Sequence, residues 1–162
     1  TVVTHLKKLL YLGFAFLIGC SQSKKKNSVE TYSRQLIVYD LDSLVRTNNY
    51  ELTKVEKDSS IAFIYKNLED STKNMVFDYS KYKEEIYFGP EQFELTEKEF
   101  LNSDINFDRY EPNEPIPDGM GNVLFNTHYG VLAFDNGWGM QFHYLTEENS
   151  KNLQLPLIFK IE

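Results

Sequence analysis

The chain has 162 residues, which is the size of one domain with at most a tail. From Asn27 onward it carries 12 basic and 24 acidic residues, a net charge of −12 that excludes a nucleic-acid binder working by phosphate neutralisation. Aromatic residues make up 15% of the chain, too many for a disordered protein, and the single Cys excludes an internal disulfide and a thiolate metal cluster.

An apolar run of ten residues, 9–18, lies just after His5, Lys7 and Lys8. A membrane-spanning helix needs about twenty such residues. A positive flank before a short apolar run is typical of a secretory signal peptide, so we predict one at residues 1–19.

The end of that run has a specific motif, Leu17-Ile18-Gly19-Cys20, which resembles the lipobox of bacterial lipoproteins. In that family the Cys thiol receives a diacylglycerol and a peptidase cuts before the Cys. The resemblance implies a lipid on Cys20 and peptidase recognition by Leu17, Ile18 and Gly19. Two acyl chains hold a protein stably on a membrane. Because Ser21 is not Asp, the resemblance also implies the periplasmic side of the outer membrane, if the cell has one.

A polar stretch with three consecutive Lys at 24–26 follows the Cys. We predict a flexible, lipid-anchored tether over residues 20–33 and a single globular domain over 34–162. Lysines beside a bilayer favour anionic headgroups by about 1 kcal/mol each.

Apolar runs in the first half of the domain predict strands at 34–39, 50–57, 60–65, 74–79 and 85–88. The polar link Asp58-Ser59 predicts a hairpin between the second and third of them. Asp42 predicts an N-cap for a short helix reaching about Thr47, and Thr96 with Glu99 resembles a capping box for a two-turn helix.

Three prolines lie between residues 112 and 117 and forbid regular hydrogen-bonded structure there. This segment predicts an exposed acidic loop. Glu111, Glu114 and Asp118 are therefore candidate contacts for a basic protein partner.

Asn136-Gly137 is a strong signal for a two-residue hairpin loop between strands at 129–135 and 138–145. In that register Asp135 opposes Trp138. A final strand is predicted at Leu155–Ile161.

The links between the predicted strands are short, which implies antiparallel pairing. We predict an α+β fold, with a mainly antiparallel sheet and two or three short helices. An all-β sandwich or a small barrel is the alternative.

Two histidines and one tryptophan are the other candidate binding residues. The predicted hairpin makes His128 and His143 diagonal neighbours about 7–8 Å apart. A catalytic zinc needs three protein ligands and no third is identifiable, so the pair predicts ordinary sheet histidines and no metal. Trp138 lies between Gly137 and Gly139, as a sugar platform would need, but the turn alone explains Gly137 and favours a core position for the ring.

These observations predict a non-catalytic binding domain, without catalytic residues or cofactor, that is held at the cell envelope and binds a basic protein. An immunity protein that neutralises a toxin is one concrete version. The alternatives are a small envelope hydrolase or metal-dependent enzyme using His128 and His143, and a glycan-binding module.

Overall fold

A computed structural model describes residues 28–101, 104–114, 117 and 119–158. Ten antiparallel strands follow one another around a closed barrel, and the first pairs with the last. The strands are β1 Ser28–Asp40, β2 Ser43–Glu56, β3 Ser60–Asn67, β4 Met75–Ser80, β5 Glu85–Phe88, β6 Glu91–Leu101, β7 Phe107–Pro112, β8 Val123–Asn126, β9 Gly130–Asp135 and β10 Met140–Leu145.

Helical structure in the described residues is limited to a 3₁₀ turn at Ser71–Lys73 and one short helix, α1, at Asn149–Asn152. No helix in this part of the chain has the length and apolar character needed to cross a membrane. The predicted α+β class is therefore wrong, and the fold is a small barrel, the alternative that the sequence left open.

The helix predicted from Asp42 is wrong because β1 and β2 form a tight hairpin there. Asp40 pairs with Ser43, and Leu41 takes a φ of +50° in the turn between them. β2 then continues from Ser43 to Glu56, so its first residues are extended.

The helix predicted from the Thr96 capping box is also wrong. Residues 91–101 form β6, in which Glu97 pairs with Arg109 of β7. The Thr96 hydroxyl donates to the Arg109 carbonyl oxygen at 3.2 Å instead of capping a helix. Irregular pairing on both sides of Glu97 interrupts the clean alternation that would have predicted a strand.

Several predicted strands are confirmed, namely those at 60–65, 74–79 and 85–88, to within a residue or two. The hairpin around Asp58-Ser59 is confirmed by the β2–β3 ladder. β1 begins at Ser28 rather than at Arg34, so residues 28–33 of the predicted tether are strand.

Large side chains, many of them aromatic, fill the interior of the barrel. The Tyr65 ring lies 4.3 Å from that of Tyr144 and 5.9 Å from that of Phe77, centroid to centroid. The Tyr65 hydroxyl also accepts a hydrogen bond from the Val131 amide at 2.8 Å. Burial of these rings is the main source of stability. It also leaves the outer surface and the two ends as the places where the barrel meets its surroundings.

The turns between the strands form two groups, one at each end of the barrel. Because consecutive strands are antiparallel, the turns alternate between the ends. We call the end that contains Ser28 and the β2–β3, β4–β5, β6–β7 and β8–β9 turns the proximal end. The distal end contains the remaining turns, beginning with β1–β2 and finishing with β9–β10.

A second apolar cluster lies on the outer face of the barrel, over β1, β8, β9 and β10, and residues 153–158 cover it. The Leu157 amide donates to His143 Nε2 at 3.2 Å, and the Ile158 amide donates to Gln141 Oε1 at 2.9 Å. The predicted last strand is wrong for residues 155–158, because β1 and β10 already pair and leave no edge for it; residues 159–161 lie outside the described residues.

Candidate functional site

The β9–β10 hairpin has a longer loop than predicted, with Asp135 opposite Gln141 rather than Trp138. The Asn136 side chain explains the difference, because its Oδ1 accepts hydrogen bonds from the amides of Trp138 and Met140, both at 3.0 Å. Gly137 and Gly139 both take positive φ in this loop. Trp138 is therefore lifted out of the strand, and its side chain is 70% exposed rather than in the core.

Exposed apolar side chains lie in that loop and in the β1–β2 hairpin at the distal end. The Leu41 amide donates to the Gly139 carbonyl oxygen at 2.9 Å, which joins the β1–β2 turn to the Trp138 loop. Leu44 and Val45 follow at the start of β2 and are both more than half exposed. We call Leu41, Leu44, Val45 and Trp138 the distal patch.

Acidic side chains accompany the distal patch. Asp40 and Asp42 flank Leu41 and are both exposed. Glu114 is exposed in the β7–β8 connection, whereas Glu111 is half-buried on β7 and forms an ion pair with Arg109 Nη2 at 3.2 Å. Asp118 lies outside the described residues. The structure thus places Trp138, Glu111 and Glu114 at or near one end of the barrel.

The buried Asp135 carboxylate fastens the β7–β8 connection to the β9–β10 loop. Its Oδ2 accepts from the Asn122 amide and its Oδ1 from the Gly137 amide, both at 2.8 Å. Burial raises the pKa of this carboxyl, and the two amide hydrogen bonds oppose that shift. The distal loops are therefore joined to one another by hydrogen bonds rather than held by packing alone.

The two histidines are not neighbours, so the register that brought them together is wrong. His143 of β10 pairs with Ala133 of β9 and is fully buried under residues 153–158. His128, in contrast, is exposed in the β8–β9 turn. Burial lowers the His143 pKa to about 4. Among the described residues no group of three or more His, Cys, Asp or Glu side chains is placed to hold a metal ion.

A pocket of about 370 Å³ opens at the proximal end, and we call it the proximal pocket. It lies where β1 runs past the end of β10, because Gln35 pairs with Leu145 and the earlier residues of β1 pair only with β2. Its walls come from β1, the β6–β7 and β8–β9 turns and the segment around α1. The lining residues include Tyr32, Arg34, Asp104, Ile105, Phe107 and Leu153.

Arg34 is the unusual residue of this pocket, because it is a cation that is only 7% exposed. Its Nη2 donates to the Tyr129 carbonyl oxygen at 3.1 Å, and its guanidinium lies 4.3 Å from the centre of the Tyr129 ring. In the part of the chain that the structure describes, the buried Nε has no hydrogen-bond partner. Sequence reasoning missed this residue, although an Arg at alternate spacing from the apolar Leu36 and Val38 was a signal for a buried cation.

Comparison with known proteins adds no relative: no family model, no curated protein and no solved structure matches the chain. The lipobox residues Leu17, Ile18, Gly19 and Cys20 lie outside the described residues. The site must therefore be interpreted from its own geometry.

Proposed function

We propose that this chain is a lipid-anchored protein of the cell envelope whose barrel is a non-catalytic module for binding another protein. The observation that carries the proposal is the distal patch, in which Trp138, which is 70% exposed, and three exposed aliphatic side chains lie in two hairpins that a backbone hydrogen bond from Leu41 to Gly139 joins. Exposed apolar side chains grouped at one end of a domain with acidic neighbours are typical of an interaction surface, and Trp is enriched among residues that dominate binding energy.

The position of the proposed anchor supports this orientation. Cys20 and Ser28 are eight residues apart, and so many residues span at most about 28 Å when fully extended. Since β1 starts at the proximal end, a lipid on Cys20 would keep that end close to the bilayer. The distal patch would then face away from the membrane, toward a partner.

The charge of the domain defines the chemistry of that partner. Asp40, Asp42 and Glu114 accompany the distal patch, and the chain from Asn27 onward has a net charge of −12. A basic protein would be steered toward this surface, and the steering would weaken as salt screens the charges. An immunity protein that neutralises a basic toxin is one such arrangement.

We expect Trp138→Ala to weaken partner binding by at least about thirtyfold, the effect of losing an aromatic anchor worth about 2 kcal/mol. The measurement is quantitative capture of envelope proteins on the immobilised full chain at low and high salt. The matched control is Tyr82→Ala, because Tyr82 is 82% exposed but lies in the β4–β5 turn at the proximal end.

A partner that Trp138→Ala releases, that Tyr82→Ala retains and that high salt weakens would support the proposal. Equal capture by both variants, or capture that ignores salt, would reject it. If Trp138→Ala instead leaves protein capture unchanged and abolishes a binding of cell-wall fragments that calorimetry detects with the unaltered chain, the glycan-binding alternative replaces it.

A further inference from the structure

The proximal pocket is the second chemically distinct surface of the molecule, at the end opposite the distal patch. Its volume of about 370 Å³ lies in the range of sites for small molecules. We infer that the proximal pocket binds a zwitterion, with its oxyanion held by Arg34 and its ammonium group held at the mouth by Asp104 and Glu148.

The oxyanion half of the inference follows from the state of Arg34. A guanidinium can donate five hydrogen bonds, but among the described residues Arg34 donates only to the carbonyl oxygens of Ser33 and Tyr129, and its Nε, like those of Arg46 and Arg109, has no partner there. Among the described residues no carboxylate forms an ion pair with it, in contrast to Arg109, which Glu97 and Glu111 hold at 3.6 and 3.2 Å. A buried cation without an anion is costly, and an oxyanion in the pocket would relieve that cost.

The ammonium half of the inference follows from the mouth of the pocket. Asp104 and Glu148 both line it and are both exposed. Two carboxylates at the entrance would repel a simple anion but attract a ligand that also carries a positive group. The pocket therefore has a cation inside and two carboxylates at its mouth. A zwitterion that enters with its oxyanion first would meet an opposite charge at each end.

The rest of the lining selects an apolar substituent. Ile105, Phe107 and Leu153 contribute aliphatic and aromatic surface, and the Tyr129 ring lies against the Arg34 guanidinium. An α-amino acid with an apolar side chain has this combination of groups. A phosphoethanolamine headgroup has the same pair of charges, with acyl chains as the apolar part of the whole lipid, and the pocket would meet it if the proposed anchor holds the proximal end near the bilayer.

Soluble probes separate the two sources. We expect phenylalanine or glycerophosphoethanolamine to bind the full chain, purified in a nonionic detergent, with a Kd below about 1 mM by calorimetry. Hydrocinnamate and glycerol phosphate lack the ammonium group and phenethylamine lacks the carboxylate, and each should bind at least about tenfold more weakly than its zwitterion. The stronger of the two zwitterions identifies the source.

Arg34→Gln should weaken zwitterion binding by at least about tenfold, whereas Arg109→Gln, the same substitution at an arginine outside the pocket, should leave it unchanged. Ile105→Trp provides a second variant that leaves Arg34 in place; its larger ring should fill the mouth and abolish binding, and thermal melting checks that it folds. No zwitterion binding at about 10 mM, equal binding of zwitterion and single-charge analogues, or unchanged binding in both variants would overturn the inference. These titrations involve neither the distal patch nor the lipid, so their failure is distinguishable from failure of the proposed function.

Discussion

Gly130→Ala is expected to destabilise the barrel by about 3 kcal/mol, combining backbone strain with an overpacking clash. Gly130 has a φ of +92°, and an added Cβ would lie 2.5 Å from the Tyr65 hydroxyl oxygen and 2.9 Å from Phe63 Cδ1. Neither ring can retreat easily, because Tyr65 is fixed to Val131 by hydrogen bonds and both side chains are fully buried. Urea unfolding at pH 7 measures the effect.

Gly89→Ala is the matched control for this prediction. Gly89 also has positive φ, +55°, but nothing lies within 4 Å of where its Cβ would be. Gly89→Ala should therefore lower the free energy of unfolding only by the backbone strain, about 1 kcal/mol. Equal losses at the two glycines would contradict the packing of Tyr65 and Phe63 against the start of β9.

The Tyr65 hydroxyl can be tested as the group responsible for the clash. Tyr65→Phe removes that oxygen and leaves the Val131 amide without its acceptor, so alone it should cost about 1–3 kcal/mol. Combined with Gly130→Ala, the total should fall below the sum of the two losses by about 1 kcal/mol. Strict additivity would place the clash elsewhere.

Acidification from pH 7 to pH 4 is expected to remove about 3 kcal/mol of stability through His143 alone. Burial lowers the His143 pKa to about 4 in the folded protein, against an ordinary value of 6.5. Between these two pH values the unfolded chain binds a proton that the folded chain does not, so stability rises with pH through this window. The contribution is complete above pH 6.5 and is lost progressively as the pH falls toward 4.

Burial keeps this ring neutral in the folded protein, and the hydrogen bonds of its two nitrogens fix which of them carries the proton. His143 Nδ1 lies 3.3 Å from the Ile37 carbonyl oxygen, so it carries the proton, and Nε2 accepts from the Leu157 amide at 3.2 Å. A second proton on Nε2 would break the bond to Leu157. Residues 153–158 should therefore detach from the outer cluster as the ring is protonated.

Urea unfolding at a series of pH values checks the prediction by difference. His143→Gln should flatten the stability profile between pH 7 and pH 4, whereas His128→Gln, the same substitution at the exposed histidine, should leave the steep loss in place. Parallel profiles for the wild type and His143→Gln would contradict the assignment.

The local signals in the sequence were sufficient for individual strands but not for the closure of the barrel. The runs at 60–65 and 85–88 are apolar enough to predict their strands without tertiary information. Closure depends on β1 pairing with β10, which brings Gln35 opposite Leu145, and no local pattern reports a contact across most of the chain. Because that closure removes the sheet edge, the predicted last strand had no partner.

The errors in the candidate site have local physical causes. The hydrogen bonds that Asn136 Oδ1 accepts from the Trp138 and Met140 amides lengthened the β9–β10 loop, which separated His128 from His143 and exposed Trp138. The proximal pocket could not be predicted, since its walls come from four separate segments of the barrel, and the spacing of Arg34 from Leu36 and Val38 indicates the burial of that one residue but not the pocket around it.

Lipid attachment at Cys20 is the claim on which the location of the protein and the orientation of the barrel both depend. Intact mass spectrometry of the protein extracted from membranes tests it most directly, with Cys20→Ser as the matched control. We expect a chain that begins at Cys20 and carries the mass of a diacylglycerol, and a serine variant that carries no lipid. A native chain with an unmodified Cys20 thiol would contradict the account.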